Sequence, residues 1–207
     1  MSFYVQANFI DVFKIGDNIN YNLQILKVLY NGYEILNDGE KLIKPIIVIN
    51  TSIAEALLHD FLVNRIKKAN KTEIFFSEIL DVFKNKKLDK FEHYITQSEK
   101  YDFFDLKDTN FYNAMHSLRK KRNRIHIQNY KWEKPYDEIE IFDKKSKILS
   151  EKVLEKILNT MVSKYPRRKE YHGFVKDFEL PWGRHFPIQD TDESELSVEE
   201  AQELGII

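Results

Sequence analysis

Apolar residues recur along the chain at steps of three and four, the period of a helix that buries one face. From Asp17, the positions Ile19, Leu23, Leu26, Leu29, Tyr30 and Tyr33 form one stripe, with Asp17 or Asn18 as N-cap and Asn37-Asp38-Gly39 as the stop. Pro45 suits a first helical turn and opens a longer helix to about residue 70. Its stripe of Ile49, Ile53, Ala56, Leu57, Phe61 and Ile66 is widened by Ala54, Leu58 and Leu62, so this helix is expected at the centre of a bundle. Shorter helical patterns cover residues 72–85 and 88–98, the latter with Phe91, Tyr94 and Ile95 facing inward. A helix capped by Thr109 or Asn110 is predicted to run to about Gln128. Another spans 143–164, with Ile148, Val153, Leu154, Ile157, Leu158 and Met161 inward, and is stopped by Pro166. The pattern divides the chain into an N-terminal arm (1–16), a helical body of about five helices (17–165) and an irregular C-terminal extension (166–207).

Composition narrows the class further. Six Gly and five Pro in 207 residues are too few for the turns of a sandwich or barrel, so an all-α fold is expected. Fifteen Phe and 11 Tyr exclude wholesale disorder. Cysteine is absent, which removes disulfides, a thiolate nucleophile and cysteine zinc sites, and fits a cytoplasmic location. The longest aliphatic run, Ile46-Ile47-Val48-Ile49, is far short of a membrane span, and no basic-then-apolar leader opens the chain. Residues 189–207 hold seven acids and no Lys or Arg, so the rest carries +6 within an overall −1. Such a tail is ordinarily a solvated end; it can also mask a basic surface.

The chemically informative segment is Leu118-Arg119-Lys120-Lys121-Arg122-Asn123-Arg124-Ile125-His126. On a helix at about 100° per residue, Arg119, Arg122, Asn123 and His126 share a stripe about 100° wide. It lies between an apolar face (Phe111, Ala114, Leu118, Ile125) and a basic one (Lys120, Arg124), with His116 on its flank. Guanidinium groups bind phosphate bidentately, and imidazole moves protons near neutral pH. RNA brings its own nucleophile, the 2′-hydroxyl, so this set needs neither metal nor cofactor. Seven basic residues from Met115 to Lys134, against the single acid Glu133, would attract a polyanion. The plainer reading is a solvated basic face with a structural histidine.

This segment resembles the signature of the HEPN superfamily, helical domains of prokaryotic toxins, abortive-infection proteins and CRISPR-associated ribonucleases. Their motif is Arg, four to six residues, then His, often with Asn after the Arg. Arg119 and His126 enclose six residues; Arg122-Asn123 supplies the Arg-Asn pair, but only three residues lie between Arg122 and His126, one fewer than that motif has. The stretch from Asn50 to Leu58, with Glu55, is similar to the helix that packs against that motif. The resemblance covers about residues 17–165. It implies a metal-independent endoribonuclease leaving a 2′,3′-cyclic phosphate, with a composite site where two copies meet. It further implies His126 as proton-transfer residue, Arg119 and Arg122 as phosphate binders and Asn123 as an orienting residue, with an antitoxin or defence-system partner as regulator. Lys120, Arg124 and His116 are the RNA-binding candidates. Glu55 is expected to pair with Arg119 or Arg122 and support the stripe. The alternatives are a non-catalytic HEPN module that binds RNA or protein, and a generic helical interaction protein. Trp182, Arg184 and His185, with His172, suit a tail pinned to the bundle or a base-stacking lid. His59, Asp60, Glu92 and His93 lack metal-ligand spacing, and no phosphate-binding glycine loop is present.

Overall fold

The computed structural model describes residues 2–68, 83–107, 109–126 and 137–187. It is an all-α fold carrying one small sheet. The helices are α1 (Phe13–Ile35), α2 (Ile43–His59), α3 (Phe91–Lys100), α4 (Phe111–Asn123), the single turn α5 (Glu138–Ile141) and α6 (Lys144–Lys164). β1 (Phe3–Val5) and β2 (Phe178–Leu180) pair antiparallel, with Phe3 opposite Leu180 and Val5 opposite Phe178. The expected helix over 72–85 and the acidic tail fall mainly or wholly outside the described residues.

Helix α2 touches α1, α3, α4 and α6, and Ile46, Ile47, Leu57 and Leu58 on it are 2% exposed or less. By length and composition the segment Gly39–Lys67 could cross a membrane, but its apolar window is 61% buried among the other helices. Pro45 sits in the first turn of α2, where no intrahelical donor is lost. The turn before it depends on Gly39: a Cβ there would stand 2.2 Å from the Tyr33 carbonyl oxygen.

Several boundaries differ from the sequence reading. Helix α1 starts at Phe13 rather than Asp17, and its N-cap, Val12, offers no side-chain acceptor. The chain just ahead of the helix is held from a distance: Asp60 accepts from the Asp11 N–H at 2.8 Å. Asp60 is 2% exposed and also accepts from Asn64 Nδ2 at 3.0 Å. Burial raises its pKa above the ordinary carboxylate value. Around it, residues Asp60–Lys67 continue α2 as a π-helix. Helix α6 begins as expected, with Asp143 accepting from the Ser146 N–H at 2.7 Å. Ile148, read as core, is instead 41% exposed, while Glu151 and Glu155 turn inward at 2% and 0%.

Those two glutamates explain the C-terminal extension. Glu155 accepts from the backbone N–H groups of His185 and Phe186 at 3.1 Å and from Trp182 Nε1 at 3.3 Å. Glu151 meets His185 Nε2 at 2.7 Å, Lys147 Nζ at 2.6 Å and Tyr30 Oη at 2.5 Å. Trp182 is 5% exposed with its ring 5.6 Å from that of Tyr30. Arg184 lies 4.2 Å over the ring of Phe3 and donates to the Tyr4 carbonyl. Trp182, Arg184 and His185 thus pin the extension to the bundle, and the indole has no open face for a base. His172 is exposed, and its Nε2 lies 2.8 Å from the Arg167 carbonyl oxygen. At Gly16 the extension approaches α1 so closely that a Cβ would fall 2.4 Å from Val175 Cγ1.

Candidate functional site

Helix α4 is fixed at both ends. Phe111, Tyr112, Met115 and Leu118 are 1% exposed or less and form its inward face. The Tyr112 hydroxyl donates to the Ser98 carbonyl oxygen (3.1 Å) or to Asp102 Oδ1 (2.9 Å), and both lie beside the end of α3. At the other end Lys121 donates to the Ile141 carbonyl at 3.0 Å and to Ser146 Oγ, tying α4 to α5 and α6. Burial lowers the Lys121 pKa.

The helix ends at Asn123, not near Gln128. Past it the chain tightens into i→i+3 turns: Arg124 N–H to Lys121 O, Ile125 N–H to Arg122 O, and His126 N–H to Asn123 O at 3.4 Å. A 3₁₀ turn advances about 120° per residue, so three such steps rotate His126 about 60° from its place on an ideal α-helix. His126 is exposed, and Ile125, expected inward, is 47% exposed. Residues 127–136 lie outside the described set.

Arg119, Arg122 and Asn123 do come together. They line a pocket of about 290 Å³ with Glu55 from α2 and with Asp89, Lys90, Phe91 and Glu92 at the start of α3. Arg122 Nη1 donates to Glu55 Oε2, and its guanidinium lies 5.8 Å from the Phe91 ring centroid. Arg119 Nη1 meets Glu92 Oε2 at 3.3 Å. Its Nε is buried without a hydrogen-bond partner among the described residues. Both arginines are therefore held by carboxylates on separate helices, as expected for Glu55 and unforeseen for Glu92. A guanidinium has five N–H donors, so one carboxylate leaves it donors for an incoming anion.

His116, half-buried on α4, has its pKa lowered by burial and then by the charge of Arg119, which favours neutral imidazole. Lys120 is exposed and Arg124 is half-buried at the end of α4. Among the described residues no group of three His, Asp or Glu is placed to hold a metal ion. The four residues weighed as metal ligands have other roles. The His59 ring stands edge-on to Tyr94 at 5.7 Å, Asp60 accepts from the Asp11 N–H, Glu92 holds Arg119, and His93 meets Asp89 at 3.0 Å.

What sequence reasoning missed is the segment 89–92. The helical pattern over 88–98 includes these residues, but its period marks only Phe91, Tyr94 and Ile95 and gives no sign that Asp89, Lys90 and Glu92 wall a pocket. Compared with family models, with curated proteins and with solved structures, the chain matches none.

Proposed function

We propose that this protein is a metal-independent endoribonuclease of the HEPN type, acting on RNA in phage defence or as a toxin in a prokaryotic cytoplasm. The observation that carries this reading is the pocket where Arg119 and Arg122 stand side by side, each oriented by a carboxylate, with Asn123 at its rim. Two oriented guanidiniums suit a scissile phosphodiester whose charge grows in the transition state. In this mechanism the RNA 2′-hydroxyl attacks the adjacent phosphorus and the 5′-oxygen leaves, giving a 2′,3′-cyclic phosphate. Proton transfer falls to His126, which lies on the exposed turn after α4 rather than in its own protomer's pocket. That position suits a composite site, in which each copy's His126 serves a cleft completed by the other. An antitoxin or defence partner would act by blocking that meeting.

The test is incubation of purified protein with labelled single-stranded RNA and matched DNA, with EDTA present, beside His126→Ala. Cleavage of RNA alone, surviving EDTA and falling by about 10²–10⁴ in the variant, is expected. Cleavage unchanged in the variant would remove His126 from the mechanism. The second reading, a non-catalytic HEPN module binding RNA or protein, is favoured by the carboxylate partners on both arginines. It requires RNA binding without cleavage by either protein.

A further inference from the structure

Helix α1 buries Ile19, Leu23, Leu26 and Tyr30 against the bundle, yet its opposite side is also apolar. Phe13 is 55% exposed, Tyr21 65%, Val28 69% and Ile35 79%. On a helical projection these four, with the exposed Asp17, Gln24 and Asn31, fall within about 80° of arc facing away from α2. A helix apolar on its solvent side calls for a covering surface.

The order of residues along this row says what covers it. Read outward from Gln24, Tyr21 and Val28 lie three and four residues away, Asp17 and Asn31 seven, and Phe13 and Ile35 eleven. The row is palindromic in chemistry about Gln24. A two-fold axis through Gln24, running two α1 helices antiparallel, sets Phe13 against the other copy's Ile35 and Tyr21 against its Val28. It also sets Asp17 against an Asn31 amide and Gln24 against Gln24. Isologous dimers demand this self-complementarity. All seven residues of the row are exposed along about six turns of helix, with the four apolar ones each more than half exposed, a continuous face of the kind that interfaces of about 800 Å² per partner cover.

We infer that the outer face of α1 is a self-association surface whose occupant is α1 of a second copy, antiparallel and centred on Gln24. It is separate from the α4 contact that the nuclease reading invokes, and a chain using both closes as a tetramer where the two two-fold axes cross at right angles.

The chain has no cysteine, so Gln24→Cys introduces a single thiol. Treated with a short bis-maleimide, Gln24→Cys is expected to run as a covalent dimer. Glu34→Cys, exposed on the same helix but off the row, is expected to remain uncoupled at equal concentration. Val28→Glu, at an exposed position, should keep its helical circular dichroism and halve the mass seen by sedimentation equilibrium. RNA cleavage by Val28→Glu reports on the nuclease reading separately, since Val28 is no part of the α4 pocket. Equal coupling of the two cysteine variants, or a mass unchanged in Val28→Glu, would overturn the inference.

Discussion

Glu151→Gln tests how the extension is held. The carboxylate is 2% exposed and is shared by Tyr30, Lys147 and His185 at 2.5–2.7 Å. The Lys147 side chain is itself only 12% exposed, and its ammonium lies 4.9 Å and 5.0 Å from the ring centroids of Tyr30 and Tyr33. Glutamine keeps the shape and one acceptor but removes the charge. The variant leaves a buried ammonium without its anion, which costs about 3–5 kcal/mol when one partner of such a pair is deleted. For a chain of this size each kcal/mol shifts Tm by about 2–4 °C, giving a drop of roughly 6–20 °C. Urea unfolding followed by circular dichroism measures it, with Lys147→Met and the double variant closing a cycle. The double variant should be more stable than Glu151→Gln alone, because the stranded cation is gone. The pH dependence has a defined sign. Burial alone would raise the Glu151 pKa, but the hydrogen bonds from His185, Lys147 and Tyr30 hold it below the ordinary 4.5. Its contribution is therefore complete above the unfolded value and lost as pH falls through the folded one. A loss below about 1 kcal/mol in Glu151→Gln, with additive singles, would refute the reasoning.

Glu55→Gln should cost about 1 kcal/mol, since its pair with Arg122 keeps roughly a quarter of each side chain exposed and is screened accordingly. The same variant should bind single-stranded RNA more tightly in filter assays, as a negative neighbour of Arg122 is removed; weaker binding would argue against Glu55 competing with phosphate. Leu58→Ala, at 0% exposure on the central helix, should lose about 2–5 kcal/mol in urea titrations, whereas Ile148→Ala, at 41%, should stay within about 0.5. His116 should titrate below 6.5 by NMR. Its neutral form is favoured in the fold, so stability from this group is present above 6.5 and lost as pH falls through the lower folded value; a midpoint at or above 6.5 would contradict the burial argument.

Residues with a local mechanism were legible in the sequence. Asp143 caps α6 because its acceptor reaches three residues on, and the wide stripe of α2 marks a helix surrounded by others. Arg119, Arg122 and Asn123 reach one pocket because three- and four-residue spacing within a single helix fixes their direction. What escaped depends on partners distant in the chain. Nothing near Asp11 announces that its N–H is bound by Asp60. Glu151 and Glu155 read as a polar face until His185, Phe186 and Trp182 arrive to occupy them, and their inward turn leaves Ile148 outside. The end of α4 is decided by i→i+3 bonds that side-chain periodicity does not report, which is why His126 departs from its wheel position.

Pairing of β1 with β2 joins Phe3 to Leu180, a loop that encloses the entire helical body. Contacts of such separation form late, because closing a long loop is entropically costly before it is rewarding. On the ribosome the helices can assemble while Glu151 and Glu155 still await their donors from residues 182–186. The last bolts are drawn only when that segment emerges and reaches back to the first strand. For a chain proposed to cut RNA, this order of assembly separates synthesis from completion: a nascent chain stalled before Leu180 lacks the clasp across its two ends. Truncation just after Leu180 would keep the strand pairing and remove the Trp182, His185 and Phe186 donors that Glu151 and Glu155 accept from.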